Sequence, residues 1–91
     1  MPRIINIYKA LLKCTDIKRY LIELKDYKPN SVTFGVFSND INTVFKLEDT
    51  IPLNRKASTS EENLVITDLT SGRSVNISEE NFLKNFPEFL L

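Results

Sequence analysis

Few side chains in this sequence have the type and spacing that catalysis or metal binding requires. Histidine is absent, which removes the commonest general base and the commonest metal ligand. Carboxylates stand in adjacent pairs at 48–49, 61–62 and 79–80. Adjacent side chains of a strand or helix point in different directions, so no pair predicts a converging acid–base dyad. The sequence therefore predicts no enzyme, no metal site and no cofactor, unless residues far apart in the chain converge.

The single cysteine and the two glycines add no catalytic motif. Cys14 lies at the end of a predicted helix near its apolar face, which favours a small buried hydrophobe over a reactive thiol. Gly35 and Gly72 belong to no phosphate-binding pattern, because the segment around the second is far shorter than a P-loop. One cysteine excludes an intramolecular disulfide, and no apolar run has the length of a signal peptide or a membrane span. We expect a cytoplasmic protein that binds no membrane.

Basic residues are concentrated in the N-terminal third of the chain. The whole sequence has 12 Lys and Arg against 12 Asp and Glu, but residues 1–29 hold seven basic side chains against three acidic ones. A basic helical surface could bind nucleic acid through phosphate contacts. Its residues would be Lys9, Lys13, Lys18, Arg19, Lys25 and Lys28. Two helices there could resemble part of a helix-turn-helix, although the third helix and the usual turn glycine are missing. Nucleic-acid binding through residues 3–28 is thus the alternative function.

Large apolar side chains offer two further interpretations. Phenylalanines in predicted strands could stack on bases, but Phe34 and Phe37 should face opposite sides of one strand, so core packing is favoured for these and for Phe45. After Pro87, a helix breaker, the C-terminus is strongly apolar. Such a terminus either folds back on the core or enters a partner. The predicted partner-binding residues are Phe86, Phe89, Leu90 and Leu91.

Two amphipathic helices are predicted at the N-terminus, over residues 3–14 and 16–28. Each segment places its apolar side chains on one side when successive residues turn by about 100°. The two apolar sides would lie roughly 170° apart in one straight helix, so we expect a break between them, where Thr15 or Asp16 can cap the second helix. The pattern over residues 20–28 also fits a strand, which remains open as the alternative.

The middle of the chain predicts strands. Alternating apolar residues predict strands over 31–37 and 42–47, and a third short strand over 49–53 that its proline would confine to a sheet edge. Gly35 inside the first of these suggests a bulge or the close approach of another backbone. The polar segment 54–62 predicts an exposed loop.

Residues 63–86 give the clearest structural pattern. Two alternating segments, 63–69 and 73–77, predict a hairpin whose turn uses Gly72 at positive φ. Ser78 then predicts the N-cap of a short amphipathic helix that ends at or before Phe86.

The predicted fold class is α+β: two N-terminal helices, a mostly antiparallel sheet of four or five strands and a short C-terminal helix. The strand spacing also allows a small open barrel. We expect a single domain over residues 1–91, with a helical half (1–29) and a half that holds the sheet and the C-terminal helix (30–91). Because no catalytic motif is found, the leading hypothesis is a small non-enzymatic protein-binding module that docks on another protein or on a second copy of itself as a homodimer. Small size and AT-biased composition suggest an accessory or inhibitor protein of a phage or mobile element.

Overall fold

The computed structural model describes residues 3–51 and 58–88. Its elements, in chain order, are helix α1 (Arg3–Leu12), a short 3₁₀ helix (Asp16–Arg19), strands β1 (Leu21–Lys28), β2 (Ser31–Phe37), β3 (Asn42–Asp49), β4 (Leu64–Asp68) and β5 (Ser74–Ile77), and helix α2 (Glu79–Asn85).

The five strands form one antiparallel sheet in which each strand pairs with the next along the chain, in the order β1-β2-β3-β4-β5. Because β1 and β5 each pair with one strand only among the described residues, the sheet is open and has two edges. The predicted α+β class and antiparallel sheet are therefore confirmed. The prediction of two N-terminal helices is wrong, since α1 is the N-terminal α-helix and the second α-helix, α2, follows the sheet.

The helix predicted over residues 16–28 is wrong, and the alternative of a strand over residues 20–28 is confirmed, since Asp16–Arg19 is a short 3₁₀ helix and Leu21–Lys28 is β1. A β-bulge explains why the pattern also fitted a helix. Leu24 pairs with Phe34 and Asp26 pairs with Thr33, so Lys25 is an extra residue in β1. A bulge shifts the alternation of side chains by one residue. Leu24 and Tyr27 therefore lie on the same side of the strand although they are three residues apart, which is also the spacing of a helix face. The predicted break at residues 14–16 is confirmed, because α1 ends at Leu12 and the 3₁₀ helix begins at Asp16.

The structure describes residues 49–51 of the strand predicted over residues 49–53, and for these residues the prediction of a separate strand is wrong. Strand β3 continues to Asp49, and residues 50 and 51 lie outside any strand. Residues 52–57 lie outside the described ranges, and residues 58–62 are exposed, as expected of the end of a loop. Asp49 ends the strand because its carboxylate accepts a hydrogen bond from the Ile51 N–H at 3.1 Å, a local contact that favours a turn.

The hairpin and the helix predicted over residues 63–86 are confirmed. Gly72 has a φ of 79° in the β4–β5 turn, a conformation that costs glycine little and other residues more. The Ser78 hydroxyl accepts a hydrogen bond from the Asn81 N–H at 3.1 Å and so caps α2. Helix α2 ends at Asn85, with the Phe86 N–H bonded to the Phe82 carbonyl.

One face of the sheet, here called the core face, is covered by the helices. It carries Val32, Phe34 and Val36 of β2 in alternation, and all three are fully buried. Helix α1 packs on β2 and β3, and α2 packs on α1. An aromatic cluster fills the space between these layers, with ring centroids 5.0 to 6.3 Å apart: Tyr8, Phe34, Phe45, Phe82 and Phe86. The opposite side of the sheet, the outer face, carries the intervening residues.

Candidate binding surface

Strand β1 is an exposed sheet edge. It is eight residues long, it pairs with β2 on one side, and no other described strand pairs with it. Every residue of β1 except Ile22 is exposed. Edge strands of this kind present unpaired backbone N–H and C=O groups to whatever approaches.

Leu24 and Tyr27 lie on the core face of β1 and are 51% and 43% exposed. Their partners on β2 are Phe34 and Val32, both fully buried. The difference arises because α1 packs on β2 and β3 and covers the centre of the sheet. The apolar core face therefore continues beyond the helices onto β1, where it is accessible.

The outer side of β1 is charged. Glu23 and Lys25 form an exposed ion pair at 3.0 Å. Asp26 and Lys28 form no ion pair with any described residue. Because Lys25 is the bulge residue, it lies with Asp26 on this outer side, and its ammonium group is 5.8 Å from the centre of the Phe37 ring. Between residues 23 and 28 the strand thus has an apolar side and a side of alternating charges, and Leu21, which pairs with Phe37 and is 61% exposed, adds an apolar side chain at the start of the outer side.

The outer face next to β1 explains the glycine in β2. A Cβ atom at Gly35 would lie 2.5 Å from Cζ of Phe37, so the phenylalanine ring rests on the glycine backbone. The expected close approach at Gly35 is therefore made by an aromatic ring two residues away, and the bulge lies on the neighbouring strand. Phe34 and Phe37 face opposite sides, as predicted, with Phe34 in the core.

A cleft of about 370 Å³ lies between the 3₁₀ helix and the β2–β3 loop. Its lining residues are Arg19, Tyr20, Ser38, Asn39, Asp40 and Ile41. The Arg19 guanidinium lies 5.1 Å from the centre of the Tyr20 ring and donates to Glu88 at 2.8 Å. Tyr20 and then Glu88 raise the pKa of Arg19, which stays a cation. The Ser38 hydroxyl accepts from the Asp40 and Ile41 N–H groups and stabilises the turn. The cleft is therefore lined by a cation, an aromatic ring and a turn.

The predicted nucleic-acid-binding residues are distributed over several elements. Lys9 lies on α1, Lys13 follows it, Lys18 and Arg19 belong to the 3₁₀ helix, and Lys25 and Lys28 belong to β1; all are exposed. Two of the six have acidic partners, Glu88 for Arg19 and Glu23 for Lys25. The residues do not form two helices, because 21–28 is a strand.

The predicted partner-binding residues of the C-terminus are divided by the structure. Phe86 is 5% exposed, and its ring contacts Phe34, Phe45 and Phe82 in the aromatic cluster. Phe89, Leu90 and Leu91 lie outside the described residues. A partner-binding role for these residues stays a prediction.

A polar cluster that the sequence did not suggest surrounds Arg3. Its guanidinium donates to Asp49 at 2.9 Å and to Asn63 at 2.6 Å, and lies 3.5 Å from Glu79. The Asp49 side chain is 4% exposed and also accepts from the Ile51 N–H. The side-chain NH₂ group of Asn63 (Nδ2) is buried and has no hydrogen-bond partner among the described residues. A cation at the start of α1 is unfavourable to the helix dipole, and the two carboxylates offset this. The cluster therefore joins α1, β3 and α2.

The other polar groups give no sign of a metal centre or a membrane segment in residues 3–51 and 58–88. No three of their Cys, Asp and Glu side chains converge as metal ligands would. No described helix has the length and apolarity that crossing a membrane requires. The Cys14 thiol donates to the carbonyl groups of Ala10 and Leu83 and packs against the core, but it is partly buried and not fully buried as predicted.

No protein-family model matches this sequence, and no curated protein and no solved structure matches the chain significantly. The described residues themselves define the class: a small α+β chain with an open antiparallel sheet and one long exposed edge strand. The function must therefore be inferred from that edge and its side chains.

Proposed function

We propose that this chain is a non-enzymatic protein-binding module that docks through the free edge of β1. Binding would occur by strand addition, in which an extended segment of the partner forms backbone hydrogen bonds with the edge strand. The observation that carries the proposal is the exposure of β1, an eight-residue edge strand with Leu24 and Tyr27 accessible on the core face. Long edges with exposed apolar side chains are templates for pairing with another chain.

Leu24 and Tyr27 would contribute affinity in addition to the backbone hydrogen bonds. Full burial of a large apolar side chain stabilises by about 1.5–3 kcal/mol. Both side chains are already about half buried, so completing their burial is worth roughly 1 kcal/mol each. The charged outer side of the strand would select partners whose charges are complementary. The apolar tail, Phe89 to Leu91, stays a second predicted contact for the same function, and the phage or mobile-element origin stays a prediction.

The experiment compares capture of proteins from an extract of the source cells by three forms of the chain. These are the natural sequence, the variant Leu24→Glu with Tyr27→Glu, and the matched control Leu69→Glu. Leu69 is 49% exposed but lies in the β4–β5 turn, far along the sheet order from β1. We expect a captured protein to be lost with the β1 variant and retained with the control.

Two further measurements make this comparison decisive. Circular dichroism should show the same fold for all three forms, because the substituted side chains are exposed. Amide exchange of β1 should slow when the captured protein is added back, because strand addition protects edge amides. Capture that is unchanged by the β1 variant would refute β1 as the docking site.

The alternative is nucleic-acid binding through the basic residues 3–28. It is supported by Lys9, Lys13 and Lys18, which are exposed and form no ion pair with a described residue. Binding would weaken steeply with salt because each phosphate contact releases counterions. Fluorescence anisotropy with single- and double-stranded probes at low salt tests this, with Lys18→Glu and Arg19→Glu expected to abolish binding. Absence of binding by the natural chain would eliminate the alternative.

A further inference from the structure

We propose that the strand added to β1 is β1 of a second copy of this chain, so that two sheets join into one across a two-fold axis between Lys25 and Asp26. The inference rests on the proposed function, because it specifies the occupant of the same edge.

The bulge determines which residues can face each other in a self-paired strand. Before the bulge, Leu24 lies on the core face and Glu23 on the outer face; after it, Asp26 lies on the outer face and Tyr27 on the core face. Residues that pair directly across two strands lie on the same face. In an antiparallel pairing of β1 with its copy, Leu24 must therefore lie opposite a core-face residue of the copy. Tyr27 is the core-face residue that follows the bulge.

Placing Leu24 opposite Tyr27 of the second copy fixes the remaining pairs. Lys25 then faces Asp26, and Glu23 faces Lys28, each on the outer face. The two-fold symmetry repeats each pair, so every charge of β1 from residue 23 to 28 meets the opposite charge and the two apolar side chains meet each other. Opposite-charge and apolar cross-strand pairs both stabilise a sheet.

Neighbouring registers with the same strand direction lack this match. A shift of two residues in one direction places Glu23 opposite Asp26, and in the other it places Lys25 opposite Lys28. Like charges directly opposite each other destabilise strand pairing. A shift of one residue places core-face side chains opposite outer-face side chains. Among these registers, only the pairing of Leu24 with Tyr27 brings opposite charges together and keeps paired side chains on the same face.

Charges and bulges on an edge strand usually discourage pairing. Charges do so where pairing brings like charges together, and β1 has the opposite arrangement; its bulge falls at the proposed two-fold axis, where both copies have it. Asp26 and Lys28, which form no ion pair with any described residue of their own chain, would gain partners in the dimer. The interface is isologous and closed, so association would stop at two copies.

Charge-reversal variants test this register by sedimentation equilibrium of the full chain at low salt. We expect the natural sequence to show a monomer–dimer equilibrium. Glu23→Lys alone places two ammonium groups opposite each other across the interface, and Lys28→Glu alone places two carboxylates there; each should weaken dimerisation about tenfold or more. The double variant Glu23→Lys with Lys28→Glu restores opposite charges and should dimerise like the natural chain. An equimolar mixture of the two single variants should form heterodimers.

The matched controls are Glu61→Lys and Lys18→Glu, exposed charge reversals outside β1, which should leave the dimer unchanged. A natural chain that is monomeric at several hundred micromolar, or single variants that dimerise like the controls, would overturn the inference. Its failure is distinct from that of the proposed function. A monomeric chain whose capture of another protein is still lost with Leu24→Glu and Tyr27→Glu retains the β1 docking site and rejects only the second copy as its occupant.

Discussion

Replacing Arg3 with alanine removes the guanidinium on which the polar cluster between α1, β3 and α2 depends. The variant loses a hydrogen bond to the Asp49 carboxylate, which is 4% exposed, and one to the side-chain amide oxygen of Asn63. Asp49 retains the Ile51 N–H as a donor. The side-chain NH₂ group of Asn63 already has no described partner, so the whole side chain would lack hydrogen bonds to the described residues.

The expected loss follows from these contacts. Both hydrogen bonds are made by the charged guanidinium, and a hydrogen bond of a charged group contributes about 1.5–3 kcal/mol. The Arg3 side chain is 22% exposed, so values at the low end of this range apply. Relief of the unfavourable helix dipole at the start of α1 offsets about 0.3–1 kcal/mol. The contact with Glu79 is long, at 3.5 Å, and adds little. The net destabilisation should be about 2–3 kcal/mol, below the value for breaking a fully buried ion pair.

Urea denaturation followed by circular dichroism measures this loss. For a chain of this size the free energy of unfolding falls by about 1 kcal/mol per molar urea, so the midpoint should fall by about 2–3 M. Arg19→Ala is the matched control. It removes an ion pair of 2.8 Å, shorter than that of Arg3, but both of its side chains are more than half exposed. That loss should be below about 1 kcal/mol.

Equal losses for Arg3→Ala and Arg19→Ala would show that burial does not strengthen the Arg3 contacts, because burial is the feature that distinguishes the two pairs. A double-mutant cycle with Asp49→Asn measures the coupling directly. We expect the Arg3 and Asp49 substitutions to be non-additive by about 1–3 kcal/mol.

Substitutions at three other positions test single features of the fold. Burial raises the pKa of Tyr8 above its ordinary value of 10.0. The contribution of this shift to the free energy of unfolding is fully present below about pH 10 and is lost as the pH rises through the pKa of the folded state. The urea midpoints of the natural chain and of Tyr8→Phe, measured at about pH 8 and about pH 11, test this: the variant should lack the part of the decrease that Tyr8 causes. Ser78→Ala removes the cap of α2 and should lower the free energy of unfolding by about 1 kcal/mol; an unchanged urea midpoint would contradict the capping role. Gly72→Ala should cost about 1 kcal/mol because φ is 79° with no atom near the new methyl group, and Gly72→Asn should cost less, since asparagine tolerates positive φ better.

The local signals of this sequence predicted the second half of the fold well. Three local signals carry this prediction: the alternation of residues 63–77, the turn glycine and the Ser78 cap. Each depends on residues close together in the chain, so it can be recognised in the sequence without tertiary contacts. The alternation of 31–37 likewise predicted β2 because its core face is completely buried. The sequence has no histidine, and its other residues form no catalytic motif, so it predicted no catalytic site.

Tertiary structure decided the remainder for two physical reasons. The bulge at Lys25 gave β1 the spacing of a helix, and only pairing with β2 shows that the segment is a strand and forms the edge of the sheet. The Arg3 cluster joins residues 46 to 76 positions apart, a separation that no local pattern reports. The sequence alone therefore determined the class of fold and the scarcity of chemical groups. The three-dimensional arrangement determined that Leu24 and Tyr27 are exposed, because the helices cover the centre of the sheet and stop short of its edge strand.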